Sequence, residues 1–209
     1  RDRYGGVNET LQDQRRLTKE HRSNRRQQVD TAAARRTEKA LNTVNRQMRK
    51  DRYRIMSNTI ARAVHSPHGL PERLTWFWMD HFTAQGKSYL YEILYGDYID
   101  GAIRPHIWGR FEDMLWAAIT HPMMLHYLDQ SASVGPGSPL GIKRPNRGIN
   151  ENLAREVLEL HTLGVDGPYG QADVQSLAAA LTGWTEKYGH GADWKGRQAE
   201  PGPFTVLGS

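Results

Sequence analysis

Cysteine is absent from the 209 residues of this chain. Its absence excludes disulfide bonds, thiolate zinc sites, iron–sulfur clusters and a cysteine nucleophile. Apolar residues make up 38% of the chain, and no stretch approaches the roughly 18 consecutive apolar residues of a membrane-spanning helix. The chain opens with Arg1-Asp2-Arg3-Tyr4, without an initiator Met or a signal-like segment. From this start we expect a fragment or a processed product.

The common catalytic signatures are also missing. The sequence contains no G-x-S-x-G nucleophile elbow, no G-x-x-x-x-G-K-[ST] phosphate loop, no G-x-G-x-x-G dinucleotide fingerprint and no H-E-x-x-H zinc motif. A catalytic prediction must therefore rest on scattered histidines and carboxylates.

Positive charge is concentrated in the N-terminal quarter. Residues 1–55 carry a net charge of +9, whereas residues 56–209 carry −4. Such asymmetry is compatible with binding to nucleic acid or to an anionic surface, and also with a solvated helix face that binds nothing. We favour the solvated face and expect no nucleic-acid partner, because aromatic stacking residues are almost missing between Val7 and Asp51. The predicted organisation is a basic polar helical segment (1–55) followed by an α-helical domain (56–209).

Apolar periodicity predicts an all-α fold. The class is an irregular helical bundle with long loops, including 131–148, and a Gly/Pro-rich C-terminal tail after Trp184. Residues 204–207 could add a strand edge in that tail. The predicted helices cover about 8–28, 31–64, 71–84, 107–120, 122–129, 150–162 and 171–182.

Two histidines lie in the middle of apolar helix faces. His81 falls on the arc of Leu70, Phe77 and Trp78, and His161 falls on the arc that runs from Leu153 to Leu160. We therefore predict that both imidazoles are mostly buried. They are the candidate ligands of a divalent metal, although a metal needs a third ligand on the same side. The favoured alternative is that each histidine bonds a core carbonyl or carboxylate.

The opposite face of the predicted helix 150–162 is polar. Glu151, Arg155, Glu156 and Glu159 lie there. They are candidate catalytic residues, since carboxylates lining a cleft can act as general acids or bases. An exposed, salt-bridged face explains the same residues without chemistry. We predict that Arg155 is held by Glu151 and Glu159, and that the loop 131–148 or the tail covers the face.

A basic loop precedes the same helix. Lys143, Arg144 and Arg147 run into its start at Asn150. Cations beside the open N–H groups of a helix N-terminus make a candidate anion-binding site. The alternative is a solvated loop, or one that pairs with Glu151.

Several sequence blocks resemble one bacterial family. The blocks are WFWMDHF (76–82), AIRPH (102–106), HPMMLHYLD (121–129), NENLAREVLELHTLG (150–164), ALTGW (180–184) and PGPFTVLG (201–208). Over about 56–208 the chain is similar to the family called domain of unknown function 1800. One difference is Ala199, where members often carry His.

The resemblance implies a bacterial protein, often exported, whose frequent neighbour is a sulfatase-like protein. It implies that 56–209 is the N-terminal part of a longer domain, and it supplies no reaction. Two function hypotheses follow. One is an exported, periplasmic or secreted, hydrolase-like enzyme that uses a His/Glu/Arg pocket around 151–161. The other is a non-catalytic helical scaffold or partner module for a sulfatase-like protein. Neither hypothesis fixes a cofactor or an oligomeric state.

Overall fold

The computed structural model of the protein describes residues 7–27, 31–87, 89–187 and 191–209. These residues form a helical fold, which confirms the predicted all-α class, with one small antiparallel hairpin. The α-helices are α1 (Val7–Arg26), α2 (Ala32–His65), α3 (Gly69–His81), α4 (Tyr89–Glu92), α5 (Tyr95–Asp97), α6 (Phe111–Ile119), α7 (Pro122–Tyr127), α8 (Pro139–Lys143), α9 (Asn152–Arg155) and α10 (Gln171–Ala180). The strands are β1 (Trp184–Lys187) and β2 (Gly191–Trp194).

Two stretches are wound as π-helix. The first π segment, Tyr98–Ile103, follows α5, and the second π segment, Glu156–Thr162, continues α9. Short 3₁₀ turns cover Arg104–His106 and Gln130–Ala132. A π-helix is rare and is often found at functional positions.

Polar side chains and prolines set the starts of several helices. Thr31 accepts a hydrogen bond from the N–H of Ala34 at 3.3 Å and so caps α2. Ser138 caps α8 in the same way, and Pro139 occupies its first turn, where a missing N–H costs nothing. None of the described helices has the length and apolar character to cross a membrane.

The core joins α2, which packs against α1, to the rest of the chain. Met48 and Ile55 of α2 belong to the same buried cluster as Tyr98, Met124 and Leu158. Helix α2 also continues through residue 55 without interruption. A domain boundary at 55 stays a prediction that separate expression of the two parts would test.

The inward face of α3 differs from the predicted arc. Leu70 and Phe77, expected to be buried, are each 60% exposed. The buried positions are instead Glu72, Thr75 and Met79. The periodicity misled because Glu72 is buried by an ion pair with a distant arginine, which apolar patterns do not record.

The loop 131–148 packs against the C-terminal tail. The N–H of Gly135 donates to the carbonyl of Gln198 (2.9 Å), and that of Leu140 to the carbonyl of Arg197 (2.8 Å). A Cβ at Gly135 would lie 2.6 Å from the Cα of Glu200, so only glycine fits there. The tail forms its sheet at β1 and β2, and the strand expected at 204–207 is absent among the described residues.

Candidate functional site

The structure brings three of the four predicted catalytic residues together. Arg155 donates from Nη2 to Glu151 (2.8 Å) and from Nη1 to Glu159 (3.0 Å), which confirms the predicted pairs. Gln171 of α10 joins them, because its carbonyl accepts from Arg155 at 2.6 Å and its amide donates to Glu151 at 3.1 Å. We call these four residues the α9 network. It ties α9 and the second π segment to α10.

The predicted cover over this face is wrong. The side chains of Glu151, Arg155 and Glu159 are 30%, 40% and 28% exposed. The loop 131–148 does not desolvate them because its hydrogen bonds go to the tail at 197–200. Hydrogen bonds from Gln171 and then Arg155 hold the pKa of Glu151 below its ordinary value. The carboxylate is thus stabilised in its charged form, which is the reverse of what a general acid needs.

Glu156 lies apart from the α9 network. Its side chain is half-buried at the first position of the second π segment. Burial, and then the charge of Glu159, raise the pKa of the Glu156 carboxyl above its ordinary value. Of the four predicted catalytic residues, it is the one whose environment favours the protonated acid.

The two predicted metal ligands do meet. Nε2 of His81 lies 3.1 Å from the carbonyl oxygen of His161, and the two ring centroids are 5.7 Å apart. His161 is 3% exposed, as predicted, whereas His81 is only half-buried. Burial, with a smaller contribution from His81, lowers the pKa of His161 to about 4.

A third metal ligand is missing from this pair. Across the described ranges, no three His, Asp or Glu side chains are arranged to hold a metal ion. The contact of His81 with a core carbonyl matches the favoured alternative for His81, whereas the same alternative is wrong for His161. Both ring nitrogens of His161 are buried without a hydrogen-bond partner among the described residues. Metal binding by His81 and His161 stays a prediction.

The predicted anion-binding residues are spread along an open loop. Lys143, Arg144 and Arg147 are all exposed, and no ion pair to Glu151 forms. Asn150 lies one residue before the N-cap position of α9, which Glu151 occupies. Its side-chain oxygen accepts from the N–H of Asn152 (2.9 Å), and its amide donates to the carbonyl of Leu128 (3.1 Å). Its polar atoms are therefore engaged within the chain, and the basic loop stays solvated. Anion binding here stays a prediction.

A largely buried ion-pair network was not predicted from the sequence. Arg104 makes a bidentate contact with Glu72 at 2.6 and 3.0 Å, and its Nε donates to Asp100 at 2.9 Å. Arg62 of α2 donates to both oxygens of Asp100 at 3.0 Å. We call these four residues the Arg104 network. The four-residue spacing of Asp100 and Arg104 was its only local signal.

Two clefts were also not anticipated. One, of about 700 Å³, lies between the basic face of α1 and the side chains of Tyr91 and Glu186. The other, of about 430 Å³, has mainly apolar walls and includes the ion pair of Arg52 and Glu92 at 2.7 Å. The regular spacing of cations on α1 could have indicated the first, whereas nothing local indicated the second.

Comparison with protein families agrees with the sequence blocks. A family model described as protein of unknown function (DUF1800) matches residues 3–209. The chain belongs to this family. The match begins well before residue 56, so it includes α1 and the part of α2 that the sequence blocks did not cover. Among curated proteins and among solved structures, no match to the chain was found.

Proposed function

We propose that this DUF1800 protein is a helical module that binds another protein through an exposed apolar row on α2. The row consists of Tyr53, Met56, Ile60 and Val64, whose exposed fractions lie between 44% and 68%. Their spacing of three, four and four residues places them on one helix face. A contiguous apolar surface of this kind marks interaction sites in many proteins. This row is the observation that carries the proposal.

The contacts of the polar side chains in the sequence block 150–164 support a structural rather than a catalytic role for these side chains. In the α9 network the charge of Arg155 is shared by Glu151 and Glu159, and Gln171 completes the contacts. Such a network holds helices together without placing a free acid or base beside a cleft. The polar side chains of the strongest sequence block are therefore paired with one another, and we propose α2 as the binding surface.

The resemblance suggests which partner to test first. A sulfatase-like protein is the expected neighbour of family members, and an exported, periplasmic or secreted location goes with it. Both remain part of the proposal. The apolar row offers such a partner a single helix face, into which large side chains of the partner can pack.

Site-specific photo-crosslinking tests the proposal. A photoreactive amino acid placed at Ile60 should give one discrete adduct with a second protein in cells that make the chain. The same amino acid at Lys50, exposed and outside the row, is the matched control and should give none. Equal labelling at both positions, or an adduct containing only a second copy of this chain, would contradict the proposal.

A second candidate function rests on Glu156. A half-buried carboxyl with a raised pKa is a plausible general acid in a hydrolase-like enzyme. The His81–His161 pair and the cations of the 143–147 loop would serve that candidate as metal and anion sites. Turnover of a panel of chromogenic esters, phosphates and sulfates tests it. Glu156→Gln should then lower the rate by about 100-fold or more, while Glu38→Gln, an exposed control, leaves it unchanged.

A further inference from the structure

Helix α1 presents a row of cations to the larger cleft. Arg15, Lys19, Arg22 and Arg26 line one wall of this space of about 700 Å³. They follow one another at intervals of four, three and four residues, so they share a helix face. At 1.5 Å per residue the row is about 16 Å long. That length suits an extended chain with several negative groups better than a single small anion.

Most of these cations are available to a ligand. Lys19, Arg22 and Arg26 are exposed, and the described parts of the chain give them no ion pair or side-chain hydrogen bond. Arg15 has an interaction within the chain and still lines the cleft. Nearby Glu20 makes no ion pair with these cations in the described parts of the chain, and its Oε1 accepts a hydrogen bond from Thr37 at 2.6 Å.

The opposite wall narrows the choice of ligand. The ring of Tyr91 stacks on His126 with centroids 3.2 Å apart, and its hydroxyl donates to Glu186 at 2.7 Å. This aromatic side chain is therefore held in place by its neighbours, and no other aromatic residue lines the cleft within the described residues. Binding of single-stranded nucleic acid usually relies on accessible aromatic side chains on which the bases stack. The cleft therefore does not favour such a ligand.

Glu186 is the single carboxylate among the described residues that line the cleft, against four cations on α1. Burial raises the pKa of Glu186 above its ordinary value, although the hydrogen bond from Tyr91 acts in the other direction. The charge of the cleft is thus dominated by the wall on α1.

We infer that the α1 cleft binds an extended acidic segment of a protein partner. Alternate residues of an extended peptide lie about 6.6 Å apart on one side, close to the steps of about 4.5–6 Å between successive cations along α1. A flat anionic membrane cannot enter a cleft with two walls. The inference rests on the proposed function, because it supplies the chemistry of the same partner. It assigns that partner a second contact, separate from the apolar row.

Fluorescence anisotropy of the full chain tests the inference. The probe is a labelled peptide of alternating Glu and Ser residues that is long enough to span the row. A triple variant, Lys19→Gln with Arg22→Gln and Arg26→Gln, should weaken binding by about tenfold or more. The matched control removes three cations outside the cleft, by Arg46→Gln, Arg49→Gln and Lys50→Gln, and should change affinity less than about twofold.

Three outcomes would overturn the inference. They are no binding of the peptide at low salt, equal weakening by the two triple variants, and tighter binding of a single-stranded oligonucleotide or a sulfated polysaccharide of the same charge. None of these results touches the apolar row, since crosslinking at Ile60 reports on α2 independently. Failure of the cleft and failure of the partner module are therefore distinguishable.

Discussion

Two ion-pair networks in this protein have the same chemistry and different surroundings. In the Arg104 network the side chains of Arg104, Glu72 and Asp100 are 16%, 8% and 9% exposed, and that of the fourth member, Arg62, is 38% exposed. In the α9 network the corresponding fractions are 40% for Arg155 and about 30% for its two carboxylates. The distances between charged atoms are alike in both. What differs is the water around them, and this difference decides how much each contributes to stability.

The two networks also differ in how far apart their members lie along the chain. The α9 network is built mainly from neighbours four residues apart on one helix. The Arg104 network has one such pair, Asp100–Arg104, and its other members come from α2 and α3. It therefore connects α2 and α3 to the first π segment and the 3₁₀ turn that follows it. The α9 network lies on the surface of one helix and contacts only α10.

The largest expected effect is that of Arg104→Ala. Removing the guanidinium leaves the buried carboxylate of Glu72 without its main partner and leaves Asp100 with Arg62 alone, at a cost of roughly 3–5 kcal/mol in the free energy of unfolding. Urea denaturation measures this loss. Arg104→Lys should recover part of it, because Lys keeps the charge and loses the bidentate geometry. A loss below about 1 kcal/mol would place the network among exposed pairs.

The next effect concerns His161, a buried group with no charge partner. Its folded pKa of about 4 lies below the unfolded value of 6.5, so between these values the unfolded chain binds more protons. Stability should therefore fall as pH falls from about 6.5 to about 4, by up to roughly 3 kcal/mol. The measurement is the free energy of unfolding against pH for the protein and for His161→Phe. The two curves should diverge over this window, and parallel curves would refute the burial of a neutral imidazole.

A smaller effect tests why the α9 network is exposed. If the loop 131–148 packs on the tail, Gly135→Ala forces a Cβ against Glu200 and should cost about 1–3 kcal/mol. Gly148→Ala is the matched control in the same loop, because nothing lies within 4 Å of its Cβ position. Thermal denaturation of both variants is sufficient. Equal midpoints would mean that the loop packs elsewhere.

The smallest effect is that of Arg155→Ala. Pairs this exposed contribute a few tenths of a kcal/mol each, so the thermal midpoint should hardly move. A loss comparable to that of Arg104→Ala would erase the contrast between the two networks and show that the face is covered after all.

Sequence patterns recovered what depends on near neighbours. The longer helices and the Arg155 pairs followed from periodicity and four-residue spacing, whereas α8 lies inside the segment 131–148 that was predicted as a loop. The patterns did not predict burial correctly where a distant residue determines it, as at Glu72, or where the backbone changes from α-helix to π-helix. Leu160 lies in the second π segment and is 56% exposed, because a π-helix turns through a different angle per residue than the 100° assumed.

The candidate sites show the same difference between contacts of near neighbours and contacts of distant residues. The sequence brought the residues of the α9 network together correctly, but it could not show that Gln171 would complete the contacts from α10. The pairing of His81 with His161 was predicted from two apolar arcs, of which the one on α3 is wrong, since Leu70 and Phe77 are exposed. The α1 cleft needed the position of Tyr91 and Glu186, which come from elements far along the chain.

The pH titration of the Glu151 carboxyl by ¹³C NMR tests the central claim most directly. The account predicts that Glu151 titrates below the ordinary range of a glutamate, and that Gln171→Ala raises its pKa, because the hydrogen bond from Gln171 is the main cause of the shift. Both results are expected if Glu151 serves as a structural contact of Arg155 and Gln171 and not as a catalytic acid. Titration of Glu151 near neutral pH, where a general acid works, would contradict the account and return the motif block to the role of an active site.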